Sequence, residues 1–409
     1  MKPRNKAIKC QQGQALVLML AVIVVAWVGL TWVVQLSERS QRQTHIQQVA
    51  DYATQAFAVV AARDLNFKAV TNRAMLVNSV AIAQLVGLHA YLEMLSRTSQ
   101  NAALVTSWVP YANAAMAQVA RALHTVQRSY TTAASGLIQL HQLTIQLLSH
   151  AQTLFHAAAS VTALRTSQHV VTTADNSLEL VLFNHATLPQ FAYVWLGYQH
   201  RQSDISDFIT LAQRSRDPFS QARSYRWFSV SPGLVNARLE KWGGSEISHQ
   251  FTRHIHWQAI DIATLRVRLG PFRSFTVPLG WGGASAGLRP PFVTTPARDA
   301  FGGAYHARRS LSRQSAAQAT VLTNSMPAPL YYSVDSDRRL PQITLAVREK
   351  DSEYKAYAVS RAGLHFHRPN LLWPRRDAWY ERANLYNAVW RAQPESISIA
   401  EQWILEQQL

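Results

Sequence analysis

The sequence predicts an α+β protein: an N-terminal transmembrane helix, a long helical hairpin or coiled-coil-like stalk, then a β-rich C-terminal domain with a short helical tail. Three observations predict it. Residues 15–36 run for 22 positions without a charge. Apolar residues then recur at 3–4 spacing over most of the first half, the period of a helix face. Finally, Gly and Pro number 5 and 3 up to Asp217 but 11 and 13 from Pro218 onward, which moves the second half toward strands and turns.

The apolar run ALVLMLAVIVVAWVGLTWVVQL, with Ala15, Leu16, Val22, Val25, Trp27, Leu30, Trp32 and Leu36 along it, would rise roughly 33 Å as a helix, enough to cross a bilayer core. It is longer than a signal-peptide core and is followed by Gln35-Leu36-Ser37-Glu38 rather than a small-residue cleavage site. Lys2, Arg4, Lys6 and Lys9 precede it with no acid among them. Basic flanks stay on the cytoplasmic side, so residues 1–14 are expected inside, 15–36 in the bacterial inner membrane and the bulk in the periplasm. Cys10 is the only cysteine, so no disulfide can form within the chain.

Formal net charge is +17, from 40 Lys and Arg against 23 Asp and Glu. Arginine is scattered rather than massed in a run, and an anchored exported chain has little access to nucleic acid. Anionic headgroups or acidic protein partners are the expected counterpart of this charge, and nucleic acid is not. Hydrophobic residues make up 48%, which supports a packed core rather than a disordered tail.

Residues 37–217 read as helical. Ile46, Val49, Ala53, Ala56 and Val60 open a series that continues through Phe67, Val70, Ala74, Val77, Ala81, Leu88, Tyr91 and Leu95. A second series runs from Met116, Val119 and Leu123 through Leu137, Leu140 and Leu147 to Leu154, Ala158 and Val161, seven heptads without a gap. Its simplest partner is the preceding helix, turned back near Trp108-Val109-Pro110 into an antiparallel hairpin; self-association between chains is the alternative. On that reading Leu137 and Leu140 are buried. Residues 218–376 form the β-rich region, with period-two segments at Arg226–Val230, His254–Leu269, Phe272–Leu279, Leu330–Val334, Ile343–Arg348 and Tyr354–Arg361. Gly243-Gly244, Gly282-Gly283 and Gly302-Gly303 are expected turns, 284–328 a long loop, and 377–409 a short helical tail.

No enzyme site is expected. Gly283-Ala284-Ser285-Ala286-Gly287 fits the serine-hydrolase G-x-S-x-G pattern, but that chemistry needs a helix directly after the serine, and Leu288-Arg289-Pro290-Pro291 cannot open one. His254-Ile255-His256 and His365-Phe366-His367 lack an accompanying thiol or carboxylate at ligand spacing, so no metal or cofactor is expected.

Several short segments occur in order along the chain: Gln12-Gly13-Gln14-Ala15-Leu16-Val17, Ala61 to Phe67 with Asn66, and Thr71-Asn72-Arg73-Ala74-Met75. Arg216-Asp217-Pro218-Phe219-Ser220, Trp257 to Asp261, Pro278-Leu279-Gly280-Trp281-Gly282, His367-Arg368-Pro369 and Asn384-Leu385-Tyr386-Asn387 follow. The set resembles the TadE/TadG-like proteins of the Flp (tight adherence) pilus-assembly family. That resemblance implies a non-enzymatic, single-pass, pseudopilin-like component of a pilus-assembly or secretion machine, with pilus-assembly and secretion proteins as partners. Leu18 departs from the family, since prepilin-peptidase substrates commonly carry Glu five residues after the cleavage glycine. A periplasmic binding module that captures an acidic ligand, lipid or partner through a basic surface is the competing expectation.

Overall fold

The computed structural model describes residues 12–398 apart from 106, 108–109, 182–186, 203–204, 232, 234, 251–253, 272, 288–314, 351–355 and 368–380. The basic flank before Gln12, Gly302-Gly303, Pro369 and the end of the expected tail lie outside the described residues.

The chain from Gln12 to Val105 is one α-helix, α1, of 94 residues. No proline interrupts it, and the residues are mostly Ala, Leu, Gln and Val, which tolerate or favour helix. Its first part is the one segment, among the described residues, long and apolar enough to cross a membrane. Large apolar side chains from Leu16 to Leu36 are 49% to 73% exposed, so none of the described residues covers them. Beyond Leu36 the helix carries on for another 69 residues, or roughly 100 Å at ~1.5 Å per residue.

Helix α2 starts at Pro110, where a missing N–H costs nothing, and runs 65 residues to Ala174. It packs antiparallel along α1. The Tyr130 hydroxyl donates to Leu85 O, His141 meets Asn78, Gln152 donates to Asn72 and the Ser167 hydroxyl donates to Ala53 O. The expected antiparallel hairpin is therefore present, while Trp108 and Val109 of its expected turn lie outside the described residues.

All the remaining elements attach to this hairpin. Strand β1 (Leu178–Val181) follows α2, then α3 (Thr187–Ala192), a π-helical turn at Tyr193–Gly197, β2 (Gln199–Gln202) and α4 (Ser206–Arg214). A five-stranded sheet takes β3 (Arg223–Val230), β4 (Val235–Gln250), β5 (His254–Leu269), β6 (Arg273–Ala286) and β7 (Thr320–Thr323) in that order, antiparallel except for the β6–β7 pair. Strand β8 (Tyr331–Val334) pairs with β2. Then β9 (Gln342–Glu349), β10 (Tyr357–Phe366) and β11 (Trp390–Glu395) complete an antiparallel sheet in the order β1-β9-β10-β11.

Among the described residues the three largest core clusters are strung along α1, and two small ones lie within the sheets. Nearest the apolar end, Ile46, Val49, Ala50 and Ala53 pack on Val171, Leu178, Val347 and Ala358. Next, Phe57, Ala61 and Leu65 meet Trp195, Tyr198, Leu345, Leu364 and Trp390. Farthest out, Met75, Ile82, Val86 and Ala90 meet Ile138, Ile145, Phe208, Ile255, Trp257 and Ala286.

Several expectations are corrected. The 3–4 seam of residues 116–161 does not face α1: Val119, Val126, Leu137, Leu140, Leu147, Leu154 and Val161 are 44% to 73% exposed. The face α2 turns to α1 is small and polar instead, with Ala120, Ala134, Ile138, Ile145, Ser149, Gln152, Ala159, Ala163 and Ser167 buried. The α1 series likewise slips after Val60, leaving Val70, Val77 and Leu88 exposed while Asp64, Lys68, Asn72, Ser79 and Glu93 are buried. Gly243-Gly244 and Gly282-Gly283 are not turns but lie inside β4 and β6. At Gly282 a Cβ would strike Ala90 O and Met94 N, so glycine lets the strand lie directly on the α1 backbone. The stretch after Asp175 is not continuous helix, since β1 and β2 interrupt it. Both ends of the expected 284–328 loop are structured, within β6 and β7, and the expected helical tail contains β11, whose Arg391 and Ala392 pair with His365 and Leu364.

These burials give a direct test in detergent-solubilised protein at low concentration. Ile138→Ala and Ile145→Ala should each cost ~2–5 kcal/mol of unfolding free energy through lost packing and a residual cavity. Leu140→Ala and Leu147→Ala should cost under ~0.5 kcal/mol, as exposed positions do. Denaturant titration monitored by circular dichroism separates the two pairs; the opposite ranking would restore the sequence-derived seam as the packing face.

Candidate functional site

The segments that carry the family resemblance fall where distant chain meets α1. Asn66 Nδ2 donates to Trp390 O (2.9 Å) while its Oδ1 accepts from Trp390 N (3.0 Å), an amide clamp between α1 and the start of β11. Asn72 Nδ2 donates to both Tyr332 O and Leu385 O, and its Oδ1 accepts from Gln152. Trp257 is fully buried, its indole N–H 3.2 Å from the Ser79 hydroxyl on α1. Gly280 brings β6 against Met94 and Thr98, and the Trp281 ring lies 5.1 Å from the Arg97 guanidinium. Asn384 Oδ1 accepts from the backbone of Tyr386 and Asn387, and Asn387 Nδ2 donates to Glu381. Arg73 is exposed, and Gly13 lies in the first turn of α1. These residues build the scaffold and form no common cleft.

Two ionic clusters are sealed inside it. In the first, Lys68 Nζ lies 2.7 Å from Asp64 Oδ2, 2.6 Å from His156 Nδ1 and 4.1 Å from the centre of the Tyr332 ring, and it also donates to Gln199. Asp64 and Lys68 have no solvent exposure. Burial lowers the Lys68 ammonium to about 8 against the pull of Asp64. Burial also works against the Asp64 carboxylate, but His156 and Lys68 outweigh it and hold its pKa below the usual value. In the second cluster, Asp261 accepts from Arg223 at 2.9 and 2.8 Å and lies 2.5 Å from Lys241 Nζ. Burial lowers Lys241 to about 8 as well. Gly243 makes room for this carboxylate, since a Cβ there would collide with Asp261 Oδ1. Neither cluster opens to a substrate; both knit strands and helices together.

The candidate chemistry considered from sequence does not assemble. Ser285 is buried in β6, paired with Gln258 on one side and Val321 on the other, not raised on an elbow. His254 and His256 belong to the five-stranded sheet, whereas His365 belongs to the other and meets Glu395 at 2.9 Å. Among the described residues no group of three or more His, Cys, Asp or Glu is placed to hold a metal.

What the fold does assemble is an arginine-lined pocket of about 460 Å³, formed by Asn236, Arg238, Arg266, Arg268, Pro271, Arg273 and Ser274. It lies where β4, β5 and β6 extend past their contact with α1. Arg238 stands directly opposite Arg266, and Arg268 is opposite both Asn236 and Ser274. Gly233 and Gly270, each at φ near +60°, sit in the connections that close this end of the sheet. Arg238 Nε donates to Asn236 Oδ1 (2.9 Å), and no acid lines the pocket. Sequence reading missed it because its four arginines come from three strands; only Arg266-Val267-Arg268, which puts two cations on one face of a strand, gives a local signal.

Neither a family model, nor a curated protein, nor a solved structure matches this chain.

The first ionic cluster yields a prediction. Asp64→Ala strands a buried ammonium and should cost about 3–5 kcal/mol, while Asp64→Asn with Lys68→Met should recover most of that loss. Because both lysines are held below their unfolded value, the folded state carries fewer protons between about pH 8 and the normal lysine range, so stability should rise with pH across that interval. Chemical denaturation at pH 7.5 and 9.5 checks this: the wild type should gain stability and the double variant should gain less. An equal gain would exclude Lys68 as the titrating group.

Proposed function

We propose that this chain is a non-enzymatic, pseudopilin-like structural component of a Flp/tight-adherence type pilus-assembly or secretion machine. It is anchored in the bacterial inner membrane by residues 15–36, with its N-terminus cytoplasmic and its bulk periplasmic. The observation that carries this reading is the uncovered face of α2. Residues 119, 126, 133, 140, 147, 154 and 161 repeat every seven positions on that face, and six of the seven are exposed Val or Leu, the other being Ala133. Between Thr98 and Leu164 the only charges are Arg121 and Arg128.

A strict seven-residue apolar repeat suits a helix of similar length lying alongside with a left-handed supercoil. Exposed apolar surface of this extent marks a protein interface. The occupant is a second copy of the same chain: a common membrane anchor holds two copies parallel and at the same height, so each seam meets its own counterpart in register. The ordered family-like segments support placing such an assembly in a pilus or secretion machine, and Lys2, Arg4, Lys6 and Lys9 support the orientation.

The test is cysteine crosslinking in native membranes after Cys10→Ser. Leu140→Cys and Leu147→Cys should each form a disulfide-linked dimer on mild oxidation, and Gln146→Cys, off the seam, should not. Absence of dimers, or equal dimers from all three, would contradict the reading.

A further inference from the structure

We infer that the arginine-lined pocket at the far end of the five-stranded sheet is a binding site for a phosphate-type multivalent oxyanion. The assignment stands on the sheet geometry and is independent of the assembly role proposed above.

The register sets the cations against one another. Arg238 on β4 and Arg266 on β5 are direct cross-strand partners. Like charges in that relation disfavour the pairing, so the sheet carries a cost that an uncharged pair would avoid. Arg268 lies two residues along β5 on the same face, and Arg273 opens β6 across from Leu269. The nearest acid along β4 is Glu240, two residues from Arg238 and further from the closed end; it is paired in register with Thr264 and Arg226 and does not line the pocket. Three arginines thus share one sheet face, and with Arg273 at the strand end they line the pocket without a carboxylate among them.

An anion that enters removes this repulsion, and guanidinium is the cation best shaped for it, since its planar fork gives two parallel N–H donors to one oxyanion. A single carboxylate would answer one arginine. A phosphate carries about −1.5 to −2 charges and three acceptor oxygens, so it can engage several forks at once. Asn236 and Ser274 add neutral polar groups at the rim. The volume of about 460 Å³ exceeds a lone phosphate and leaves room for the molecule that bears it.

Location narrows the source. Asn101, near the end of α1, donates to Leu279 O at 2.6 Å, and β6 runs on six residues from there to Arg273, about 20 Å at ~3.3 Å per residue. Leu36 and Asn101 are separated by roughly 98 Å of helix, so headgroups of the anchoring membrane are out of reach. The phosphate therefore comes from a soluble molecule or from a separate lipid surface.

The test uses the full-length protein in nanodiscs of zwitterionic lipid, with pyrophosphate as the soluble probe, citrate as a polycarboxylate comparison, and separate phosphatidylglycerol vesicles as the lipid-borne source. Calorimetry should give saturable binding of one pyrophosphate per chain, weakening as salt rises, with citrate at least tenfold weaker. Arg238→Gln with Arg266→Gln should weaken pyrophosphate binding at least tenfold with no loss of melting temperature and an unchanged circular dichroism spectrum, and Arg165→Gln on α2 should leave binding unchanged. Vesicle capture without pyrophosphate binding, abolished by the same double variant, would assign the phosphate to a lipid surface and still support the site. No saturable binding in either arm, binding indifferent to the double variant, or citrate binding as tightly as pyrophosphate would overturn the assignment.

Discussion

Everything in this structure depends on the continuity of α1. One helix carries an apolar run of membrane-spanning length at its start and then supplies one wall of the three largest core clusters, from Ile46 to Ala90. The four- and five-stranded sheets bury their largest clusters against the hairpin, with only small clusters apart from it. The physical requirement is an unbroken ladder of i to i−4 hydrogen bonds, which the absence of proline between Gln12 and Val105 permits. The side chains on its inner face then explain the rest: small residues where β6 must lie on the backbone, amides where a distant strand must be pinned, and an acid–lysine pair where two helices and β2 converge.

That choice of residues explains what was legible in the sequence. The apolar start of α1 was plain, because 22 uncharged positions in a row admit a helix of membrane-spanning length. The start of the second helix was plain as well, because proline suits the first helical position. The phase of the helices was not. Hydrophobic periodicity assumes that the largest apolar residues point inward, yet α2 buries Ala134, Gln152 and Ser167 and leaves Leu140 and Leu154 outside. Close helix–helix approach selects small side chains, while polar ones such as Gln152 are tolerated because Thr71 and Asn72 satisfy them. The period was read correctly and the face was not. The glycine pairs misled for a related reason: at Gly243 and Gly282 the demand is for space beside a carboxylate or a helix backbone, not for a turn.

Of the candidate sites, the family-like residues were visible as motifs, but their work was not. Asn66, Asn72, Trp257 and Gly280 are positions where chain separated by more than 170 residues is fastened to α1, which no local pattern encodes. The arginine pocket shows the converse. Its four cations looked scattered along the sequence; sheet register puts Arg238, Arg266 and Arg268 on one face, and the β5–β6 turn adds Arg273 at the same end. A basic composition thus resolves into a few interior cations neutralised by buried acids and one concentrated cationic end.

The measurement that most directly tests the spine is a spin-label distance along it in the membrane-reconstituted protein. Labels at Gln48→Cys and Leu88→Cys, both exposed positions of α1, with Cys10→Ser, are separated by 40 residues of helix. A continuous helix predicts one narrow distance near 60 Å, at ~1.5 Å per residue. A distribution centred well below about 45 Å, or two separate populations, would mean that α1 breaks between the core clusters, and the single-spine account would fail.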